Sequence, residues 1–577
     1  MFKLAIFLKP YKKECMIGPA FKLLEAIFEL LLPTIMVLII NNGVDKRNMV
    51  YVLQMSGVML LMAVLGFGSS MICQYYAARA SQGFGTTLRN TLFKHINSFS
   101  YAELDAFGTP TLVNRITSDV NQLQLAVAML IRLVIRAPFI CIGAIIMSMI
   151  LDFQLSLIFL AVTPVFAIIL YLVISKSAPI YRLYQQKLDK IALILREHLS
   201  GVRVIRAFAS VHREKKRFYA ANDDLAATAI HVGRLSALLN PLTSFVMNMA
   251  IIAILWVAGF RVNTGALSHG EIIAFVNYIT QILLALIVVS NLVIIFTKAV
   301  TSADRINEVL AVSPSIQDSR TILQPIYCEN APAIQFNNIS FAYHTGDKVL
   351  EDITITIQRG ETIGIIGSTG AGKSTFVNLI PRFYDAVEGS ILIDGIHVKD
   401  YPLQILRDKI SIVPQSALLF TGTIADNIRW GKQDATEQEI IAAARMAQAD
   451  EFINKLPDGY QSLVSQGGLN FSGGQKQRLT IARALIAKPD ILILDDASSA
   501  LDFATDAALR KELNKSSHDM TVLIVSQRVS TIKHADRIIV FDDRHLVGFD
   551  AHHELIKNCE VYQELYQSQL SSEEAFR

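Results

Sequence analysis

Residues 362–382 read TIGIIGSTGAGKSTFVNLIPR. The octet that starts at Gly367 matches the pattern GxxxxGK[ST], whose glycines allow backbone N–H groups to turn toward phosphate oxygens. The apolar run 362–366 predicts a strand before the octet, and 375–382 predicts a helix after it, which is the context that the pattern requires. A helix N-terminus also favours negative charge. The stretch therefore predicts an α/β domain that binds the phosphates of a nucleotide.

The polar side chains of this loop have predicted tasks. Lys373 is expected to reach the β- and γ-phosphates, and the hydroxyl of Ser374 is expected to hold Mg²⁺. A second apolar run, 491–494, ends in Asp495, as expected of a strand that delivers a carboxylate to the Mg²⁺. The predicted phosphate-binding residues of the loop are Gly367, Ser368, Thr369, Gly370, Ala371, Gly372, Lys373, Ser374 and Thr375.

A second loop of the same domain has the character of an anion site. Residues 471–475 read FSGGQ, and they open the stretch 476–487, which has helical character. The N–H groups at the start of such a helix are exposed, and they point toward any ligand in front of the helix. If the two loops bind different nucleotides, the domain must pair face to face with another. The residues predicted to bind nucleotide here are Ser472, Gly473, Gly474 and Gln475.

The N-terminal half of the chain is much more apolar. The mean hydropathy is +0.40, and hydrophobic residues make up 52% of the 577 residues while charged residues make up 18%. A transmembrane helix needs about 20 mostly apolar residues. Six segments meet that length, and an even number returns the chain to its starting side. They are 17–40, 55–73, 130–151, 155–174, 242–260 and 272–296.

The connections between these spans alternate between short and long. Most basic residues fall in the long ones, so the positive-inside rule places the long connections and both termini in the cytoplasm. Residues 74–97 and 181–223 keep apolar residues at helical spacing without an internal proline, which predicts that the spans continue as helices into the cytosol. The hairpins would turn at 98–108 and 201–214 and could carry motion between a cytosolic motor and the membrane. The predicted domains are a transmembrane domain at 1–315, a linker at 316–333 and a nucleotide-binding domain at 334–577.

Five ionisable groups fall inside the predicted spans, where charge is costly and a functional role is the default. They could line a water-filled cavity and contact a substrate, or they could neutralise one another as interhelical ion pairs, and the sequence leaves both interpretations open. They are Lys22, Glu25 and Glu29 on one face of the first span, and Arg132 and Arg136 on the third. On the last span, Asn277, Gln281 and Asn291 lie within an arc of about 80°, which suits either a cavity-facing stripe or interhelical hydrogen bonds.

The order of the motifs closely resembles the nucleotide-binding domain of ABC transporters. In chain order they are the phosphate-binding loop, Gln415 after a strand, the FSGGQ loop, the strand that ends in Asp495, and 499–502, which reads SALD. The six preceding spans with two long hairpins resemble the exporter branch, so the resemblance covers essentially the whole chain. It implies six transmembrane helices with long cytosolic extensions, fused to a cytosolic α/β P-loop ATPase domain, in the plasma membrane of a bacterium.

The resemblance also implies roles for single residues. Tyr343 would stack on the adenine of ATP, and Gln415 would sense the attacking water and join Ser374 and Asp495 at Mg²⁺. Residues 472–475, the family's signature loop, would close over the γ-phosphate of ATP held by the opposite subunit. The tips of the two hairpins would hold the coupling helices.

Two positions beside the γ-phosphate depart from the family's pattern. The family usually has glutamate where this chain has Asp496, and histidine where it has Gln527. Aspartate is one methylene shorter, so its carboxylate would lie about 1.5 Å back from the attacking water, and general-base catalysis tolerates such a displacement poorly. Glutamine can donate a hydrogen bond but carries no charge. Gln466 also replaces a usual acid, and Phe471 replaces the commoner leucine.

With these departures, the chain resembles the degenerate subunit of bacterial heterodimeric multidrug exporters. The departures predict that the chain binds ATP and Mg²⁺, hydrolyses ATP slowly or not at all, and supplies its signature loop to the site of a second, competent half-transporter. The expected cargo is an amphiphilic, drug-like small molecule, and membrane lipid is a further expected partner. Two alternatives remain: an exporter or flippase of lipids or peptides with the same architecture, and an ATP-gated channel or regulatory subunit.

Composition excludes other classes of function. A formal net charge of +3 is too small to indicate nucleic-acid binding, since the basic residues are scattered or lie beside membrane segments. The five cysteines lack CxxC or Cys/His spacing, which argues against a disulfide framework and against a zinc site.

Overall fold

The computed structural model describes residues 2–318, 331–343, 346–516 and 520–574. The chain divides into two compact units, which comprise Met1–Asn97 with Thr109–Val312, and Ser98–Gly108 with Ser313–Arg577. The tip of the first predicted hairpin therefore belongs to the second unit. Most of the predicted linker at 316–333, namely residues 319–330, lies outside the described residues.

Within the described residues, six stretches of helix in the first unit are long and apolar enough to cross a membrane. They confirm the six predicted spans. All of them exceed the roughly 20 residues that a bilayer requires, because the helices continue well past their most apolar part. The stretches are Lys3–Val44, Met49–Asn97, Thr109–Leu151, Phe153–Ser200, Val211–Asn263 and His269–Ala311.

The helices before residue 312 are mostly α-helical, with short segments of other types. The α-helices are α1 (Lys12–Leu38), α2 (Met49–Asn97), α3 (Tyr101–Phe107), α4 (Thr109–Asn114), α5 (Val120–Met129), α6 (Arg136–Leu151), α7 (Phe153–Ser200), α8 (Val202–Ala207), α9 (Val211–Ala237), α10 (Leu239–Asn263) and α11 (His269–Ala311). A 3₁₀ helix at Phe2–Tyr11 precedes α1, and π-helical segments lie at Ile39–Val44, Arg115–Asp119 and Leu130–Val134. Such π-helical turns inside long helices often accompany functional sites.

Side-chain caps begin two of the long helices. Asp152 accepts a hydrogen bond of 2.8 Å from the N–H of Leu155 at the start of α7. Ser268 and Glu271 form a reciprocal capping box at the start of α11. Because a cap satisfies N–H groups that have no partner within the helix, these short polar connections determine where each following helix begins.

The core of the first unit is mainly apolar and includes a buried tyrosine whose hydroxyl is hydrogen-bonded. Phe159 of α7 and Phe275 of α11 pack with their ring centroids 5.5 Å apart. Tyr278, fully buried on α11, donates a hydrogen bond of 2.8 Å to the carbonyl of Leu30 and shares one of 2.9 Å with the hydroxyl of Thr34. Since buried hydroxyls are costly unless bonded, these contacts fix the rotation of α11 against α1.

The second unit contains twelve strands within its described residues. They are β1 (Ile334–Ala342), β2 (Lys348–Ile357), β3 (Thr362–Gly367), β4 (Glu388–Ile393), β5 (Ile396–His397), β6 (Ile410–Val413), β7 (Gly422–Thr423), β8 (Leu463–Val464), β9 (Ile491–Asp495), β10 (Thr521–Val525), β11 (Arg537–Asp542) and β12 (His545–Asp550). The main sheet has the order β12-β11-β3-β10-β9-β6, a second sheet has the order β2-β1-β4-β5, and β7 pairs with β8. This arrangement confirms the predicted α/β domain.

The neighbouring strands β11, β3, β10, β9 and β6 are parallel. Asp495, the last residue of β9, lies opposite Val525 of β10, which in turn lies opposite Ile365 of β3. The carboxyl ends of these strands therefore meet at one edge of the sheet, where open α/β sheets bind their ligands.

The second unit contains ten α-helices after residue 312 within its described residues. They are α12 (Lys373–Leu379), α13 (Leu403–Asp408), α14 (Ile424–Arg429), α15 (Glu437–Met446), α16 (Asp450–Ile453), α17 (Gly473–Leu485), α18 (Phe503–Ser516), α19 (Val529–Ile532), α20 (His552–Asn558) and α21 (Glu560–Glu574). The helix predicted at 375–382 ends earlier, at Leu379, because Pro381 has no N–H to donate to a continuing helix. Arg382 has left-handed backbone geometry, with φ at 53°.

The helix α3, at the tip of the first predicted hairpin, packs within the second unit. The ring of Tyr101 lies 4.5 Å from that of Phe383, and the hydroxyl of Tyr384 donates a hydrogen bond of 2.6 Å to Asp105. Burial raises the pKa of Tyr384, and so does this bond to a carboxylate. Glu103 accepts hydrogen bonds from the backbone and hydroxyl of Ser100 at 2.7 and 2.5 Å. The contacts of Tyr101 and Asp105 hold α3 within the second unit.

Candidate nucleotide-binding site

The carboxyl edge of the main sheet carries a polar cavity of about 350 Å³. It is built by the loop after β3 with the start of α12, by residues at or after the ends of β6, β9 and β10, and by Val349 of β2. Because β3, β10, β9 and β6 are parallel neighbours, side chains that are far apart in sequence meet at the edge. The lining residues are Val349, Thr369, Gly370, Gly372, Lys373, Ser374, Thr375, Gln415, Asp495, Asp496, Val525, Ser526 and Gln527.

The loop after β3 has the backbone that phosphate binding requires. Gly370 and Gly372 have φ angles of 88° and 94°, a region that side chains with a Cβ rarely adopt. The ammonium of Lys373 donates hydrogen bonds to the carbonyls of Gly367 and Ser368, at 2.8 and 2.7 Å. Burial lowers the pKa of Lys373, while the charges of Asp496 and Asp495 oppose that shift. The loop thus presents a positive charge and a helix N-terminus to the cavity.

Ser374 and Asp495 lie together as predicted for a cation site. The hydroxyl of Ser374 donates a hydrogen bond of 3.1 Å to Oδ1 of Asp495, and Asp495 is 8% exposed. Burial raises the pKa of Asp495, and the bond from Ser374 and the charge of Lys373 oppose that increase. A hydroxyl and a carboxylate are the hard oxygen donors that Mg²⁺ prefers beside a phosphate. The residues therefore fit a bound magnesium nucleotide.

Gln415 and Asp496 also meet in the cavity. The side-chain amide of Gln415 donates a hydrogen bond of 3.1 Å to Oδ2 of Asp496. The backbone of Asp496 has a φ of 49°, its N–H donates to the carbonyl of Val525 at 3.0 Å, and its carbonyl accepts from Ser499. Asp496 is therefore held through its carboxylate by Gln415, and through its backbone by Val525 and Ser499.

Gln527 is exposed and lines the same cavity. A second glutamine holds its loop: Nε2 of Gln569, on α21, donates to the carbonyl of Gln527 at 2.9 Å, and Oε1 of Gln569 accepts from the N–H of Val529 at 2.8 Å. The side-chain amide of Gln569 thus bonds the backbone on both sides of Arg528 and holds this loop in place. The sequence analysis missed Gln569, because nothing in its local sequence indicates a partner 42 residues earlier.

We expect Gln569→Leu to loosen the loop that carries Gln527. The variant loses two neutral hydrogen bonds, so we expect the free energy of unfolding of the second unit to fall by about 1–2 kcal/mol and the amide of Val529 to exchange faster with deuterium. Gln563→Leu is the matched control, because it lies on a different face of the same helix. Unchanged protection at Val529 in the Gln569 variant would contradict this role.

The signature residues do not line the cavity. The hydroxyl of Ser472 caps α17, and Gln475 completes a capping box. A Cβ on Gly474 would lie 2.9 Å from the carbonyl oxygen of Ala500, so this loop packs closely against 499–502. Phe471 is buried in the core, with its ring 6.4 Å from that of Phe452, whereas Gln466 is exposed. The four signature residues that remain outside the cavity are Ser472, Gly473, Gly474 and Gln475.

Tyr343 lies against the start of α12. Its hydroxyl shares a hydrogen bond of 2.9 Å with the hydroxyl of Thr375, and its ring meets Phe341 and Tyr384 edge to face, at 4.9 and 5.2 Å. The side chain is thus positioned next to the phosphate-binding loop. Its predicted stacking on adenine stays a prediction.

The ionisable groups of the spans form two close pairs. Lys22 bonds both oxygens of Glu25 at 2.8 and 2.7 Å, and Arg136 pairs with Glu29 at 2.5 Å. Arg132 is in neither pair. Of the predicted polar stripe on α11, Gln281 donates to the carbonyl of Glu29 at 3.4 Å, Asn277 bonds within its own helix, and Asn291 is exposed.

Comparison with protein families identifies both units. Residues 15–286 match the family described as the ABC transporter transmembrane region, and residues 350–499 match the family described as ABC transporter. An uncharacterized ABC transporter ATP-binding protein of Bacillus subtilis, YfiB, is 38% identical over 574 residues, which are 99% of each chain. The putative multidrug export ATP-binding/permease protein YgaD of the same bacterium is 31% identical over 97% of each chain.

The fold has a close solved counterpart. The structure of a bacterial Atm1-family ABC exporter with ATP bound matches with a TM-score of 0.80 and 24% identity, over 97% of this chain and 98% of that one. At this identity the match shows the fold: six membrane helices fused to a C-terminal α/β ATPase domain. The spans and the bacterial relatives indicate a multi-pass membrane protein of bacteria. The chain belongs to the ABC transporter family, as a half-transporter of the exporter type with its ATPase domain in the same polypeptide.

Proposed function

We propose that this chain is one half of an ATP-driven heterodimeric exporter of amphiphilic small molecules, and that its own nucleotide site binds ATP without hydrolysing it efficiently. One observation carries the proposal. Asp496 lines the cavity at the position expected for a general base, and Gln527 lines it at the position expected for an imidazole.

The contacts of Asp496 support impaired catalysis. A carboxylate that is about 1.5 Å short of the attacking water could compensate only if its backbone moved forward. Its N–H and carbonyl are both bonded, and Gln415 binds its Oδ2. Moving Asp496 forward would cost these bonds, each worth about 1 kcal/mol.

The same cavity keeps the groups needed to bind ATP. Lys373 would exchange its bonds to two loop carbonyls for bonds to phosphate oxygens. Ser374 and Asp495 would hold Mg²⁺, and Gln415, which bonds Asp496, could reach the same ion. When bound, the ion neutralises the phosphate charge. Tyr343 would contact the adenine.

The position of the signature loop supports the proposal of a second, different subunit. The residues of this loop form the start of α17 and lie outside the chain's own cavity, and the start of a helix favours a negatively charged ligand. A homodimer would contain two impaired sites. A heterodimer with a half-transporter that carries glutamate and histidine at the two positions would contain one competent site, closed by the signature loop of this chain.

Closure of the two ATPase domains would drive transport. ATP shifts the equilibrium toward the closed dimer only if it binds that state more tightly, and a γ-phosphate gripped by both subunits supplies the difference. The contacts of α3 with Tyr384 and Phe383 would pass this motion to the membrane helices. The impaired site would hold its ATP through several cycles and keep the domains partly together.

The cargo proposal rests on the membrane unit and on one relative. Charged and polar groups lie beside apolar surface in the first, third and sixth spans, which suits an amphiphile. The relative YgaD is named as a putative multidrug exporter. The alternatives with the same architecture are a lipid or peptide exporter and an ATP-gated channel.

Two measurements test the proposal. We expect the chain purified without other half-transporters to bind ATP but to hydrolyse it at about 10⁻² of the rate of the heterodimer or less, because general-base catalysis typically contributes about 10²–10⁴-fold. Inside-out vesicles containing the heterodimer should accumulate a lipophilic dye against its gradient. Brisk turnover by the chain alone would overturn the impaired-site proposal, and dye movement only down its gradient would favour the gated channel.

A further inference from the structure

The Gln415 loop, residues 414–420, follows β6 and carries Gln415 to the nucleotide cavity. Pro414, Gln415 and Ser416 are all exposed. The amide of Gln415 nevertheless has a defined position, because it donates to Oδ2 of Asp496 at 3.1 Å. Ordering a loop for each binding event costs conformational entropy unless other contacts already hold it. Contacts elsewhere in the loop therefore decide how well this amide is placed.

The helix α17 bonds the backbone of the loop on both sides of Gln415. Nε2 of Gln477 donates to the carbonyl of Pro414 at 3.4 Å. The guanidinium of Arg483 donates to the carbonyl of Leu418 at 2.9 Å. The second bond is shorter and its donor is charged, and such bonds are stronger than neutral ones. Arg483 thus makes the stronger of the two attachments.

Arg483 also holds the loop through a second residue, Asn427 of α14. Its two other nitrogens donate to the carbonyl and to Oδ1 of Asn427, at 2.8 and 2.9 Å. Asn427 is 1% exposed and bonds both the N–H and the carbonyl of Phe420, each at 2.8 Å. The ring of Phe420 lies 5.5 Å from Cζ of Arg483 and stacks on Trp430 with the centroids 4.4 Å apart. One guanidinium therefore fixes both ends of the stretch from Leu418 to Phe420.

A guanidinium is suited to this task. It presents its donors in a planar fork, so that one side chain can bond several oxygens at once. Burial lowers the pKa of Arg483, yet a guanidinium stays charged at neutral pH. A buried charge is costly when it loses hydrogen bonds. Movement of the loop away from α17 would take the carbonyl of Leu418 from this charge, so the charge resists that movement.

We propose that Arg483 is a positioning residue for the nucleotide site, which holds the Gln415 loop on α17 so that the amide of Gln415 lies beside Asp496 and within reach of Mg²⁺. The inference rests on the proposed binding of magnesium ATP in this cavity. Arg483 does not line the cavity. It would therefore act on the nucleotide only through Gln415.

The test measures nucleotide binding by the full chain, so that it does not depend on hydrolysis. ATP affinity is measured once with Mg²⁺ and once with EDTA. We expect Arg483→Met to weaken the affinity for magnesium ATP about fivefold, the equivalent of one neutral hydrogen bond, and to change the affinity for metal-free ATP less than twofold. Gln415→Ala should have the same effect. The double variant should bind no more weakly than either single variant, because residues that act through one chain of contacts are not additive.

Arg478→Met is the matched control. Arg478 lies on the same helix in a similar environment, with Cζ 4.8 Å from the ring of Phe452 and a bond of 2.8 Å to the carbonyl of Gln448. Neither of these partners belongs to the Gln415 loop. We expect Arg478→Met to change both affinities less than twofold.

Hydrogen exchange follows the loop itself. The N–H of Phe420 should exchange with deuterium about tenfold faster in Arg483→Met and at an unchanged rate in Arg478→Met. If Arg483→Met does not fold, Arg483→Lys takes its place in the same scheme, because it keeps the charge and most of the alkyl chain but lacks the fork. This milder variant should weaken magnesium ATP binding at least twofold.

Equal weakening with Mg²⁺ and with EDTA would overturn the inference, because it would indicate a general structural defect. Losses that multiply in the double variant would overturn it too, and so would an unchanged exchange rate at Phe420. If the unmodified chain bound no magnesium ATP, the proposed function would fail. The exchange rates would then still decide whether Arg483 holds the Gln415 loop.

Discussion

Ser472→Ala is expected to lower ATP turnover of the heterodimer about 10²-fold, as the loss of one donor to a transition-state oxyanion does, whereas Lys373→Ala should lower it only a few-fold. The two expected losses of turnover differ because the two residues are proposed to serve different nucleotide sites. Ser472 lies outside the chain's own cavity and would contact the γ-phosphate at the competent site. Lys373 lines the chain's own cavity, where little hydrolysis is proposed to occur.

Ser472 also caps α17, so its loss has a structural cost that must be separated from its effect on turnover. Removal of an N-cap typically costs about 1 kcal/mol of stability. Thr436→Ala is the matched control, because Thr436 caps α15 through the same type of capping box with Glu439 and lines no part of the cavity. We expect the two variants to lose similar stability in thermal unfolding and only Ser472→Ala to lose turnover. If Lys373→Ala abolished turnover as fully as Ser472→Ala, both sites would be catalytic and the asymmetric dimer would be wrong.

The double variant Asp496→Glu with Gln527→His is expected to raise turnover at this chain's own site by about 10–10²-fold, part of the 10²–10⁴-fold that a well-placed general base contributes. Glutamate supplies the missing methylene, and histidine supplies a group that can be charged beside the γ-phosphate. The measurement is the ATPase rate of the chain assembled with copies of itself, whose two sites are then identical.

The gain should fall short of the full general-base effect for a structural reason. Asp496 has a φ of 49°, a region that aspartate tolerates better than glutamate does, so the new side chain would start from a strained backbone. Asp496→Asn with Gln527→His is the control, because it introduces the imidazole and removes the carboxylate. An equal rate in the two double variants would show that the acid is not limiting, and no gain in either would place the fault outside these positions.

Some features of the fold could be predicted from local sequence alone. The apolar lengths of the spans, the strand and helix on either side of the phosphate-binding loop, and the strand that ends in Asp495 all depend on near neighbours in the chain. The prediction erred at 375–382, where Pro381 ends the helix early. Short-range sterics and periodicity govern such features, so a single sequence is informative about them.

The sequence by itself determined the two-part architecture, the order of the nucleotide-binding motifs and the identities of Asp496 and Gln527, on which the proposal of an impaired site depends, because each is a matter of residue identity or of the pattern of neighbouring residues. Only the tertiary structure decided that Ser374 and Asp495, which the sequence already predicted to share Mg²⁺, bond each other directly across 121 residues, that Gln569 holds the loop of Gln527, and that Arg136 pairs with Glu29 while Arg132 does not. Those pairings depend on strand register and on the rotation of packed helices. Strand register and helix rotation are both determined by contacts across the whole fold, and no local sequence pattern encodes either.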